Sequence, residues 1–411
     1  MNLDSSRRNF LRVGLTLPAA GLAGSRPGAA FQAPSSIPYR SLGKTGLKVC
    51  PVGVGVGFTP DPSVIARAFD LGVNYFDTAN DYSNGNSERL LTVGLKGIPR
   101  DKVIVVSKTP AKTRGVFMAD LEDSLKNLAT DRIDIWLLHA KSKPEDVPDE
   151  LLEAGNEAKK QGKIRFFGVS THDLDLMADH FVKAGNIDAV TFTYNFTMGT
   201  GREAAIAKLS KAGIGLTAMK VMAANGGVLP DFSAMTAGRA QGRGSGGGVG
   251  APARGGGGGQ ARGGMPPRPA AIKNPLPALK WVLRNPTVAT TIPGVRDVEM
   301  LEMNLKALSE KFTAEDEKLL SARSEEIRPY YCRMCYSCRG QCPKGMPVPD
   351  QLRILAYADF YGDFPLAQRS FAALPKQVQA LRCGDCSECS VHCPNGVRVA
   401  DRLIRAQELL A

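Results

Sequence analysis

Between residues 50 and 310 the chain repeats one unit eight times, a short apolar run followed by an amphipathic stretch, and this alternation limits the possible folds more than anything else in it. The apolar runs fall at 50–56, 73–77, 102–107, 133–138, 163–169, 187–193, 213–219 and 288–292. Several are unbroken, as in the Ile-Val-Val of Lys102 to Ser107, the pattern of strands buried on both faces. The stretches between them (61–71, 86–96, 118–128, 148–161, 173–184, 201–212, 275–284 and 298–308) predict eight helices. Eight such units point to an α/β fold in the form of a closed parallel (β/α)8 TIM barrel, with its reactive face where the strands end.

One segment breaks the rhythm. Residues 238–264 hold 14 of the chain's 44 glycines, and a disordered Gly/Arg-rich insertion at 237–270 is expected between the seventh and eighth strands. It also accounts for much of the formal charge of +12. Its five arginines meet no acid, and the first 33 residues add +3, leaving +4 elsewhere. Basicity so peripheral, with no aromatic among those arginines, argues against a nucleic-acid partner.

The first 33 residues are expected to be a signal peptide. Arg7-Arg8 precede Phe10-Leu11 and an apolar run from Val13 to Gly24, too short to span a bilayer. The pattern resembles a twin-arginine signal, implying export of a folded protein to the periplasm or cell envelope, with no membrane span after signal removal.

Eight of nine cysteines crowd the C-terminus, a metal-ligand pattern rather than a disulfide framework; Cys50 stands apart, as a small buried side chain would. Cys332, Cys335, Cys338 and Cys342 repeat, with the following proline, in Cys383, Cys386, Cys389 and Cys393. Three thiolates at this spacing wrap three corners of a [4Fe–4S] cube, and the fourth ordinarily ligates the neighbouring cluster. Two clusters are therefore expected: Cys332, Cys335, Cys338 with Cys393, and Cys383, Cys386, Cys389 with Cys342. Helical stretches between the motifs (351–357, 367–373) make residues 327–411 resemble an α-helical dicluster ferredoxin-like domain. His392 adjoins a ligand but is a bystander, since the cysteines already complete both sets.

The barrel's strand ends carry Asp77, Tyr82 just beyond it, Lys108 and His139. The segments Arg40-Ser-Leu-Gly-Lys-Thr-Gly-Leu-Lys-Val49, Phe76-Asp-Thr-Ala-Asn-Asp-Tyr-Ser83, Ser107-Lys108, Leu137-Leu-His139 and Gly168-Val-Ser170 resemble the aldo-keto reductase family over about residues 39–310. The resemblance implies that Tyr82 protonates the alkoxide left by hydride addition to a carbonyl. Lys108 would strengthen Tyr82 as an acid, Asp77 would hold Lys108, and His139 would orient the carbonyl oxygen.

For NADP(H), the resemblance implies that Ser170 and Thr171 hold the carboxamide, with Arg296 and Asn304 at the 2′-phosphate end. This chain departs from the family at Thr191, Met219, Met300 and Met303. The combined expectation is an exported oxidoreductase acting on a small-molecule carbonyl or alcohol. It would exchange electrons through its clusters with a redox partner protein or other one-electron carrier. The alternatives are a non-catalytic electron-transfer or docking subunit with the barrel as scaffold, and a glycine-arginine RNA-binding accessory.

Overall fold

The computed structural model describes residues 37–199, 201–223 and 274–411; the expected signal peptide and the Gly/Arg-rich insertion lie outside them. A short hairpin, β1 (Arg40–Ser41) and β2 (Lys48–Val49), precedes the barrel strands β3 (Val54–Gly55), β4 (Tyr75–Asp77), β5 (Ile104–Thr109), β6 (Ile133–Leu138), β7 (Ile164–Thr171), β8 (Ala189–Thr193), β9 (Gly215–Met219) and β10 (Thr290–Thr291). The last eight pair in parallel, each with its sequence neighbour. Bridges from Val52 to Thr291 and from Gly55 to Gly294 join the first strand to the last. Every expected strand forms, although the first and last contract to two residues.

The surrounding helices are α1 (Pro62–Asp70), α2 (Asn86–Gly94), α3 (Arg114–Asn127), α4 (Asp149–Lys160), α5 (Leu174–Ala184), α6 (Glu203–Lys211), α7 (Leu276–Leu283) and α8 (Val298–Leu305). Local sequence starts them: Asp61 accepts from the Ser63 N–H at 2.8 Å just before Pro62, joining an N-cap to a proline at the first helical position. The β1–β2 hairpin plugs the end where the strands begin, its Leu42, Leu47 and Val49 sharing a core with Tyr75, Ile104 and Ala189. Gly43 makes this possible: its φ is +52°, and a Cβ there would lie 2.4 Å from the Gly215 nitrogen.

The C-terminal region is helical: α9 (Ala314–Ile327), α10 (Val348–Asp359), α11 (Phe364–Ala372), α12 (Lys376–Ala380) and α13 (Val399–Leu410). It is built into the barrel's own packing. Leu320, Ile327, Tyr330, Tyr331, Ala356, Phe360 and Tyr361 form one core with Phe196, Ala223 and Ala278 from the barrel loops and α7.

Buried Asp359 ties α10 to α13, accepting from Arg402 Nη2 at 2.6 Å and from Arg405 Nη2 at 2.8 Å. Burial raises this carboxyl, but the two guanidiniums outweigh it and hold it below the usual carboxylate range. A folded-state value below the unfolded one, about 3.9, contributes stability above that pH and loses it as pH falls through the folded value. Wild-type melting temperature should therefore drop on acidification below about pH 4. Asp359→Asn should be about 3–5 kcal/mol less stable at neutral pH, with a flatter acid limb in the same melting series.

Candidate active site

The barrel's C-terminal face brings together the four side chains expected there. Asp77 ends β4, Lys108 is the penultimate residue of β5, and His139 follows β6 directly. Lys108 is almost fully buried and donates to Asp77 Oδ1 at 2.6 Å and to the Thr78 carbonyl. Its ammonium stands 5.1 Å from the centroid of the Tyr82 ring, and the His139 ring meets Tyr82 edge-on at 5.6 Å.

Two local features place Tyr82. Its ring lies against Gly57, where a Cβ would come within 2.9 Å of the ring. The chain then turns sharply through Ser83, Asn84 and Gly85, all at positive φ, into α2. There buried Glu88 accepts from the Ser107 hydroxyl at 2.6 Å and locks that turn to β5.

The electrostatics correct one expectation. Lys108 faces the ring of Tyr82 and is paired with Asp77, and the net shift of the phenol is upward rather than downward. Burial, followed by the charges of Asp77 and Asp81, pushes the Tyr82 phenol well above its ordinary value. The hydroxyl is therefore a firmly protonated donor. Burial also raises the Asp77 carboxyl, with Lys108 pulling against it. Asp81, which the sequence did not single out, sits 3.1 Å from His139 Nδ1 and fixes the imidazole.

Ser170 and Thr171 end β7, both buried. The Ser170 hydroxyl accepts from the Ala140 N–H at 2.8 Å and that of Thr171 from the Asp173 N–H at 3.0 Å, so each retains its own proton to donate. Near the start of α8, Arg296 is half-buried. Asn304 is fully buried, and neither its Nδ2 nor its Oδ1 has a partner among the described residues. A buried amide left this way costs free energy unless a ligand or water completes it, so this position fits a nucleotide.

The eight clustered cysteines are free thiols on the loops before α10 and α13. Burial pushes Cys332 up to about 12, with Cys338, Cys335 and Cys393 adding to the effect. The Cys383 thiol is pushed up to about 11, again by burial first, then by Cys342, Cys386 and Cys389. The thiols acting on Cys332 are thus Cys335, Cys338 and Cys393, and those acting on Cys383 are Cys342, Cys386 and Cys389. Among the described residues no three His, Cys, Asp or Glu side chains converge on a single metal-ion position. A cube several atoms wide needs its ligands farther apart than one ion does. Hydrogen bonds reach the sulfurs from the Met334 N–H to Cys332 at 3.4 Å and from Asn395 Nδ2 to Cys335 at 3.2 Å. Partners of this kind would tune a cluster if one were held there.

The first cysteine loop lies on the barrel's reactive face. Arg202 donates to the carbonyls of His172 and Met334 at 2.8 and 2.9 Å, Arg339 pairs with Asp173 at 3.0 Å, and the Tyr336 hydroxyl is 3.3 Å from that of Ser142. From α10, Arg353 donates to the Tyr357 hydroxyl at 2.8 Å, and Lys220, just past β9, lies 4.8 Å over the Tyr357 ring. Burial raises the Tyr357 phenol, but Arg353 and Lys220 prevail and leave it below its ordinary value. No strand-end spacing points to Arg353 or Tyr357, because another region of the chain brings them to the mouth.

Fold and site together define a class, a (β/α)8 barrel with an Asp-Tyr-Lys-His set at its C-terminal face. Residues 62–239 match the aldo/keto reductase family. It is 33% identical to L-galactose dehydrogenase of Arabidopsis thaliana over 178 residues, 38% of this chain and 56% of that protein. With methylglyoxal reductase DkgB of Escherichia coli O157:H7 it shares 25% over 266 residues, 63% and 86% of the two chains. The chain spans about half the length of several of the curated relatives it matches. Among solved structures, the thermostable aldo-keto reductase Tm1743 with the inhibitor epalrestat superposes with a TM-score of 0.51 at 28% identity, over 69% of this chain and 98% of that one. A Klebsiella pneumoniae aldo/keto reductase in complex with NADP and acetate shares the fold, with a TM-score of 0.52 at 22% identity over 70% and 96%.

Proposed function

We propose that the protein is an NAD(P)-dependent oxidoreductase interconverting a carbonyl and an alcohol at Tyr82, and that two [4Fe–4S] clusters link this site to a one-electron carrier. One observation carries the reading: the phenol, the Lys108–Asp77 pair and the Asp81-held imidazole meet at one point on the reactive face. Tyr82, kept protonated, donates to the oxygen that becomes the alkoxide and takes the proton back in the reverse direction. Asp81 holds His139 at Nδ1, leaving Nε2 to fix the substrate oxygen. The Lys108 charge, fixed by Asp77, stabilises negative charge developing beside the ring. Ser170 and Thr171 would hold a nicotinamide carboxamide and Asn304 the far end of the nucleotide, which supplies a hydride when bound.

The clusters rest on the cysteine spacing and on the two crossed sets; when bound they supply one-electron transfer. The Klebsiella relative's NADP complex supports the nucleotide, and the Arg7-Arg8 leader supports export to the periplasm or envelope. Protein recovered anaerobically should contain about eight irons, as two such cubes require, and should bind NADPH. In Cys338→Ala the iron content should fall by about half. Zinc or no metal would refute the clusters, and absence of nucleotide binding would refute the nicotinamide.

A further inference from the structure

The C-terminal region does more than cover the barrel mouth; it completes a cationic wall there. Lys220 lies over the rings of Tyr357 and Tyr361 at 4.8 and 4.3 Å, and among the described residues no carboxylate stands within ion-pair distance of its Nζ. Among the described residues, buried Arg202 bonds only to the carbonyls of His172 and Met334, and its Nη1 has no partner. Arg353 gives one arm to the Tyr357 hydroxyl and one to Asp350 at 3.2 Å, leaving a buried Nε without a partner among the described residues. His172, 3% exposed, leaves Nδ1 without one as well.

These groups act on one another and on the reacting centre: His172 feels Lys220, Arg353, His139 and Arg202, while Tyr82 feels Tyr357. The acids facing the wall are Asp363, Asp81, Asp175 and Asp173 besides Asp350, and Asp173 is paired with Arg339 at 3.0 Å. Asp81 is taken up by His139, and Asp363 caps α11 through the Leu366 N–H. Buried donors with so few acceptors call for an anionic oxygen ligand.

We propose that Lys220, Arg353 and the Tyr357 hydroxyl, with Arg202 behind them, bind a carboxylate of the substrate, so that the carbonyl or alcohol compound handled at Tyr82 is an acid. This rests on the reductase reading above. A nucleotide phosphate offers the same chemistry, and the experiment separates the two. The full-length holoprotein is titrated calorimetrically with benzoate, with benzamide as its neutral counterpart, and with NADPH.

Benzoate is expected to bind about tenfold more tightly than benzamide, and Arg353→Gln or Lys220→Met to lower benzoate affinity about tenfold while NADPH affinity holds. Arg353→Lys, with its melting temperature, separates loss of charge from loss of fold, and the wild-type comparison needs no variant. Failure of benzoate to outbind benzamide overturns the proposal, as does a loss of NADPH affinity as large as the loss for benzoate. With NADPH as reductant, 4-carboxybenzaldehyde should show a higher kcat/KM than 4-methylbenzaldehyde. Equal values overturn the carboxylate site and leave the reductase standing. Turnover of neither aldehyde, with benzoate still bound, overturns the reductase alone.

Discussion

Tyr82→Phe is expected to lower carbonyl turnover by about 10²–10⁴-fold, the usual worth of a positioned proton donor. The substitution removes one hydroxyl and keeps the ring that packs on Gly57 and His139, so fold and melting temperature should barely change. The phenol sits well above its ordinary value because burial and the charges of Asp77 and Asp81 disfavour the phenolate. It therefore remains a donor up to at least pH 10, the ordinary tyrosine value, and the wild-type reductive rate should show no loss assignable to this group below that pH. Steady-state rates of wild type and variant across pH 6–10, with iron content measured alongside, check both statements. Unchanged turnover in Tyr82→Phe would make the barrel a scaffold.

Lys108→Met should be more damaging, because it removes activity and stability together. Lys108 and Asp77 are 1% and 4% exposed at the side chain and 2.6 Å apart, and Asp77 Oδ2 already lacks a partner among the described residues. Without the ammonium, a buried carboxylate at the centre of the mouth stands uncompensated, costing about 3–5 kcal/mol. Part of that cost is relieved if Asp77 takes up a proton. Denaturant unfolding should show the loss, and the double variant Lys108→Met/Asp77→Asn should recover much of it without recovering turnover. Such recovery distinguishes a buried charge from a packing defect.

Elements repeating at barrel spacing were legible in the sequence because each strand is a run of apolar residues and each helix an amphipathic stretch. The hairpin at 40–49 was not, since two strands of two residues have no periodicity to read. Asp77, Lys108 and His139 could be located because a barrel puts strand ends on one face, and Tyr82 because it follows closely after one. Their electrostatics could not be read, since the sign of the Tyr82 shift depends on where the Lys108 ammonium points. Asp81 was within the quoted motif, but its bond to His139 depends on a loop conformation that no residue spacing encodes.

The chain's order of residues determined by itself the eight β/α units, the four strand-end side chains and the two cysteine quartets, because each is a local pattern written in side-chain type and spacing. Only the tertiary structure decided that α10 carries Arg353 and Tyr357 to the mouth of a barrel whose last strand ends nearly sixty residues earlier. It also decided that Lys220 meets them there and that Lys108 is spent on Asp77. Which charges share a buried space is set by packing of segments distant in sequence, and a low-dielectric interior makes that company decide the chemistry.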